Sequence, residues 1–224
     1  MKLTEEKSLY YYETPDGVTA GFSSARIGGL GEVRKRIGDI AYMEQVHGAR
    51  ISVVKKPARY RADGIFTVAK GLFTAVMTAD CLPLLFYSLE AGVAGAVHMG
   101  WRSAEKGIIG HIRLDLSSFT VIAGPGMRKC CYEVGSEFEE KPVLAPHISR
   151  REGGIYFDPV GFAREQLLKK GLKEEGFRES GICTLCGGSG LPSFRGTGTG
   201  QRTISFAGLD DPKSGCRRPL DLSQ

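Results

Sequence analysis

Thr78-Ala-Asp-Cys-Leu-Pro-Leu-Leu-Phe-Tyr87, followed by Gly95-Ala-Val-His-Met-Gly-Trp-Arg102, is the part of the chain whose reading decides the fold. The runs Leu82 to Tyr87 and Val93 to Val97 are apolar along their whole length instead of at alternate positions. Both faces of each strand must therefore be buried. Ser88-Leu-Glu-Ala-Gly92 joins them as a hairpin loop. A doubly buried hairpin can hold ligands rigidly, and its ends carry chemistry: Cys81 enters the first strand and His98 leaves the second.

A soft and a borderline ligand at adjacent strand ends suggest a metal, which needs a third ligand. The chain has four histidines: His47, His98, His111 and His147. His47 stands in Gln45-Val-His-Gly48, just before the β-branched run Ile51-Ser-Val-Val54. His47, Cys81 and His98, with a fourth position open, match a catalytic zinc site better than a closed structural one. Site residues concentrate at such element ends. His111 reads as an exposed helical histidine, and His147 falls in a Pro-, Gly- and Arg-rich segment, 141–154, that reads as a loop.

The composition is that of a globular protein large enough for a substantial core. A net charge of +5, with Lys and Arg scattered among acids, gives no basic stripe for nucleic acid but suits small anionic ligands. No run approaches the roughly 18 apolar residues of a membrane span, and Met1 to Lys7 has no apolar leader, so a cytoplasmic protein is expected. Oligomeric state is not legible. Six cysteines without a leader predict reduced thiols. Cys183-Thr-Leu-Cys186 offers a metal-binding pair or a redox dithiol, but with no second CxxC partner and no thioredoxin-like βαβ context it reads as structural or incidental; the adjacent pair Cys130-Cys131 says less.

Elsewhere the pattern predicts strands across 10–24, broken by a turn at Thr14-Pro-Asp-Gly17, and a short helix from Gly31 to Gly38. Gly71 to Thr78 reads as a strand, and a helix is expected from a Ser103 N-cap through Ala104, Ile108, Ile112 and Leu116. Phe119 to Ala123 is a strand. Asp158-Pro159 opens the clearest helix, with Gly176 as its stop, followed by strands at Gly181 to Leu185 and Arg202 to Phe206. Residues 210–224 read as a loose tail.

Gln45-Val-His-Gly48, Ala62-Asp-Gly64, Thr78-Ala-Asp-Cys-Leu-Pro83, Val97-His-Met-Gly-Trp-Arg102, Gly124-Pro-Gly126 with Cys130-Cys-Tyr-Glu-Val-Gly135, Asp158, Cys183-Thr184 and Ser193-Phe-Arg195 run in order along nearly the whole chain. Together they resemble the bacterial YfiH family, also called the laccase-domain or polyphenol oxidoreductase family, whose members are purine nucleoside phosphorylases with adenosine deaminase activity. The resemblance implies an α/β (α+β) fold, two mixed β-sheets flanked by helices, in a single domain over 1–224. It places the metal on His47, Cys81 and His98, and phosphate- and nucleoside-facing charge on Arg26, Arg102 and Arg195. It implies purine nucleosides and inorganic phosphate as substrates: adenosine, inosine, guanosine and S-methyl-5'-thioadenosine for phosphorolysis, and adenosine for deamination to inosine. Zinc is the expected metal, and copper the second choice. Met99 and Ser103 stand where the family has small residues, and Gly196 where it has a second arginine.

Beside Cys81, Asp80 is a fourth candidate catalytic residue, either orienting a histidine or capping a turn. Glu133 is a weaker acid/base candidate, and Trp101 either stacks on a base or belongs to the core. The main rival is a copper polyphenol oxidase, since His₂Cys with Met99 nearby resembles a blue-copper centre. Four histidines cannot also furnish the imidazole-rich cluster that oxygen reduction demands. The same residues are compatible with a non-catalytic metal- or nucleoside-binding module, and with a cysteine hydrolase that uses Cys81 as nucleophile.

Overall fold

The strands Leu82–Ser88 and Val93–Met99 form the expected antiparallel hairpin, with Val93 opposite Ser88 and Met99 opposite Leu82. Every residue of both strands is buried. The structure, a computed structural model, describes residues 2–151 and 153–212. The hairpin is the centre of a six-stranded mixed sheet in the order Phe177–Glu179, Thr120–Ala123, Leu82–Ser88, Val93–Met99, Gly64–Thr67, Ile51–Val53. A seven-stranded mixed sheet lies against it, ordered Leu3–Glu6, Leu9–Tyr12, Val18–Ser23, Thr203–Leu209, Leu72–Thr78, Asp39–Glu44, Arg59–Arg61.

The two faces of each strand serve different layers. Leu85, Tyr87, Ala94 and Ala96 pack against Phe22, Val76 and Ala207 of the larger sheet. Leu84, Phe86 and Val97 face the other way, onto Ile108, Phe157, Phe162 and Leu167. The outer face of the larger sheet is covered by the helix Leu30–Ile37, whose Val33 and Ile37 sit on Phe73, Ala75 and Phe206. Each such large apolar side chain contributes roughly 1.5–3 kcal/mol on burial, so the sheet pair is a stiff base for whatever its ends carry.

Several local expectations change. The helix from Trp101 ends at Glu105, capped by Gly100, and Ser103 lies buried inside it. Gly107, with φ 69°, turns the chain, and Ile108–His111 is a 3-10 turn. The four-residue apolar spacing thus marked burial, not a continuous helix. Asp158 does cap the helix Pro159–Lys169, accepting from the Gly161 amide at 2.9 Å, but the helix stops at Gly171 (φ 92°), ahead of Gly176. The segment 141–154 is not a loop: Ile148–Arg151 pairs with Gly154–Phe157 in a small three-stranded sheet with Glu133–Val134. The strand expected at Gly181 to Leu185 lies earlier, at Phe177–Glu179. The expected tail beyond Pro212 lies outside the described residues, while Asp210 is tied to the sheet end by its amide on the Gly17 carbonyl and its carboxylate on Thr19.

Candidate metal centre and substrate cleft

The larger sheet's strand Leu72–Thr78 passes into the smaller sheet through Ala79, Asp80 and Cys81. The crossing is sharp, and Asp80 takes a left-handed backbone, φ 85°. Cys81 therefore arrives beside the end of Val93–Met99, where His98 stands opposite Pro83. His47 comes from the loop after Asp39–Glu44, also left-handed at φ 55°. Non-glycine residues rarely adopt this region, and here two of them meet at Cys81: Asp80 precedes it in sequence, and His47 lies beside it in space.

The three ligand atoms lie within 4.8 Å of one another, with Cys81 Sγ 3.9 Å from His47 Nε2 and the imidazole centroids 4.7 Å apart. Asp63 organises both histidines. Its Oδ1 is 2.9 Å from His98 Nδ1 and accepts the His47 amide at 2.9 Å, while Oδ2 accepts the Gly48 amide at 2.8 Å. With Nδ1–H committed to Asp63, His98 presents Nε2 to Cys81. Residue types and spacing alone do not single out Asp63. Its place in Ala62-Asp-Gly64, one residue before a strand that pairs with the His98 strand, is the signal that could have found it.

Asp80 does not orient a histidine. Its Oδ1 accepts the Thr184 hydroxyl at 2.8 Å and its Oδ2 the Arg195 amide at 2.7 Å, because the left-handed turn aims the carboxylate away from the imidazoles.

Burial alone would push the Cys81 thiol up, but hydrogen bonds to His47 and His98 and their charges outweigh it and bring it down to about 6. Burial likewise works against a charged His98, yet Asp63 and the Cys81 sulfur hold it up, to about 9. Asp63 is lowered: burial opposes this, and the hydrogen bonds from His98, Gly48 and Val46 prevail. The metal-free site thus favours a thiolate beside an imidazolium. Gly100 leaves the room: a Cβ there would stand 3.1 Å from Cys81 Sγ and 3.2 Å from His47 Cδ2. One thiolate and two imidazoles, with a carboxylate behind one of them, fit Zn²⁺ in composition.

The triad opens into a cleft of about 790 Å³ walled by Trp101, Tyr132, Phe194, Arg102, Arg195 and Arg202, with Arg59 also on its lining. Arg102 lies 4.4 Å over the Trp101 ring, and Arg195 donates to the Glu133 carbonyl. Trp101 touches Phe138 of the core on one side and lines the cleft on the other. Arg26 is displaced: it lies in the turn after Val18–Ser23, the strand Thr203–Leu209 lies between that strand and Leu72–Thr78, Arg26 is outside the cleft lining, and Arg202 lines the cleft instead. Nothing but position just before the last strand marked Arg202. Met99 packs in the apolar core, facing away from His98 as successive strand residues must, so it is no axial ligand. Glu133 is exposed in a two-residue strand, and His111 is exposed. Cys130 and Cys131 lie against Cys183 and Cys186, two pairs that nothing in their spacing would join.

The layered mixed sheets define a YfiH-type, laccase-like α+β protein, and the His₂Cys triad lies at their shared end. The chain belongs to the family described as multi-copper polyphenol oxidoreductase laccase, which residues 30–210 match. It is similar to a purine nucleoside phosphorylase of Aquifex aeolicus, 36% identical over 148 residues covering 64% of this chain and 68% of the relative. It is also similar to the purine nucleoside phosphorylase YlmD of Geobacillus stearothermophilus, 32% identical over 192 residues covering 74% and 70%. The crystal structure of YlmD superposes with a TM-score of 0.83 at 26% identity, covering 93% of this chain and 98% of that one. Bacillus licheniformis YfiH gives 0.82 at 23% identity over 93% and 99%, a likeness of fold. Among the described residues no helix is long and apolar enough to cross a membrane.

Proposed function

We propose that the cleft is the active site of a zinc-dependent purine nucleoside phosphorylase, cleaving adenosine, inosine, guanosine or S-methyl-5'-thioadenosine to base and the (methylthio)ribose 1-phosphate. Deamination of adenosine to inosine at the same centre is part of the proposal. The observation that carries it is the opening of the His47–Cys81–His98 triad onto a cleft with arginines on its walls. The relatives named purine nucleoside phosphorylase support the substrate class.

Zinc held by His47, Cys81 and His98 would supply a Lewis acid with one coordination position left for substrate or water. The remaining work belongs to side chains. Phosphorolysis needs phosphate oriented toward C1′ of the ribose, and the planar guanidinium forks of Arg102 and Arg195 suit its oxygens. Trp101, Tyr132 and Phe194 offer aromatic surface for the purine. Asp63 fixes the His98 tautomer and the His47 backbone together. Asp80 acts as a positioning residue, holding the Arg195 amide beside the metal ligand Cys81.

Chromatography of adenosine incubated with the purified protein tests this directly. Adenine and ribose 1-phosphate formed only with phosphate is the expected result for phosphorolysis, and inosine with or without phosphate for deamination. No product from any of the four nucleosides with a folded, zinc-loaded sample would overturn the assignment.

A further inference from the structure

We propose a second metal site, a structural Zn²⁺ held by the four thiolates of Cys130, Cys131, Cys183 and Cys186. Their sulfur atoms all lie within 4.8 Å of one another, and Cys130 Sγ is 3.3 Å from Cys186 Sγ. Zinc–sulfur bonds of about 2.3 Å at tetrahedral angles put sulfurs about 3.8 Å apart, so the cluster needs only small adjustments to close on an ion.

The residues come from segments 52 positions apart, Cys131 to Cys183, and several long-range bonds join them. Gly126 bridges to Cys183, its amide donating to the Ile182 carbonyl and its carbonyl accepting from Thr184. The buried Arg128 spans the same gap: its guanidinium donates to Gly124 and Ile182 carbonyls, the Ser180 hydroxyl and Glu179. The Cys183-Thr-Leu-Cys-Gly187 turn has the form of a metal-binding knuckle. Backbone amides of Cys186, Arg128 and Leu185 point at the Cys183 sulfur, donors that a thiolate uses and a thiol wastes. A Cβ at Gly187 would come within 2.8 Å of the Cys183 carbonyl, so the tight return demands glycine. Four thiolates around one divalent cation leave two negative charges, faced by Arg128 and Lys129 and opposed by Asp158 and Glu179 on the same wall.

The site would stabilise the cleft at a distance. Thr184, inside the knuckle, donates to Asp80, the neighbour of Cys81. Tyr132, which follows Cys131, lies under the Arg195 guanidinium at 5.6 Å.

Zinc content after purification under reducing conditions, with Co²⁺ substitution, decides the matter independently of enzyme activity. In an H47A/C81S variant, which lacks the first site, one equivalent of zinc should remain. Four thiols should react with a thiol reagent only after a chelator is added, and Co²⁺ should give intense sulfur-to-metal charge transfer with tetrahedral d–d bands. C183S/C186S should lose one equivalent relative to the unsubstituted chain. Should that variant fold poorly, C130S, changed at an exposed cysteine, should still show weakened zinc retention against a chelator. No zinc in folded H47A/C81S, all five remaining thiols of that variant (the four of the cluster and Cys216) reacting at once in zinc-supplied protein, or a Cys130–Cys186 disulfide recovered from protein kept reduced would each overturn the proposal.

Discussion

Asp63 Oδ1 accepts from two residues of the triad at once, His98 through its ring at 2.9 Å and His47 through its amide at 2.9 Å. A single carboxylate oxygen therefore sets the relative placement of two of the three proposed ligands. Asp63→Asn keeps the shape but gives up the charge that holds the His98 ring. Metal affinity should fall about 10–100-fold, the usual effect of losing a carboxylate behind a ligating histidine. A zinc competition titration against a chromophoric chelator reads this out; unchanged affinity would refute the orienting role.

Gly100→Ala should damage the site without damaging the fold. The backbone there, φ −84° and ψ 169°, suits any residue. The added methyl instead meets Cys81 Sγ and His47 Cδ2. Urea unfolding should change by less than the roughly 1–3 kcal/mol typical of core overpacking, while zinc uptake falls. Intact zinc uptake would show that the triad has slack the geometry does not suggest.

Metal binding should depend on pH in a specific way. Between about 6 and about 9 the metal-free site carries Cys81 as thiolate and His98 as imidazolium. Zinc needs the thiolate and a neutral imidazole, so binding expels a proton from His98. Affinity at the triad should rise about tenfold per pH unit across this window, level off above about 9, and fall more steeply below about 6, where Cys81 also holds a proton. The measurement belongs in C183S/C186S, so that only the triad is titrated, and a flat profile from neutrality to pH 9 would contradict the ion-paired state.

Arg102→Ala and Arg195→Ala should raise the KM for phosphate by about 10–100-fold, the worth of a charge-assisted hydrogen bond or two. Arg26→Ala should leave it unchanged, since Arg26 lies outside the cleft lining. Initial rates over a phosphate series separate the three, and an effect confined to Arg26 would reverse the geometric assignment.

Thr184→Val removes the buried donor to Asp80 Oδ1. A loss of roughly 1–3 kcal/mol in chemical denaturation is expected for a buried charged acceptor left short of a partner. No change in stability would mean that the bond contributes nothing net.

Much of this architecture was legible where local chemistry and tertiary demand agree. Continuous apolar runs of this length, bounded by turn residues, mark doubly buried strands, so the Leu82–Ser88 and Val93–Met99 hairpin and the ends that bear Cys81 and His98 follow from pattern alone. Asp158-Pro159 is likewise a start signal that needs no context. The misreadings fall where context decides. Ile108, Ile112 and Leu116 are all buried, as a helix would bury them, yet Gly107 bends the chain between them and Ala104. Asp63 and Asp80 are both turn aspartates in sequence; only strand pairing tells which one reaches a histidine. Arg26 and Arg202 flank neighbouring strands of a sheet whose order no periodicity records. The joining of Cys130-Cys131 to Cys183 and Cys186 depends on the buried guanidinium of Arg128, and long-range bonds of that kind leave no local trace.

The Arg195 amide rests on Asp80, whose neighbour Cys81 is the sulfur of the triad. The rim that would receive an anion and the floor that would hold a cation are thus two ends of one hydrogen-bonded strut. A ligand that steadied the Phe194–Thr197 turn would act on Cys81 through this bond, and a metal on Cys81 would act on the turn. Reciprocity makes the two effects equal: the factor by which zinc tightens phosphate is the factor by which phosphate tightens zinc. The protein would then distinguish metal-loaded from empty molecules before any nucleoside arrives.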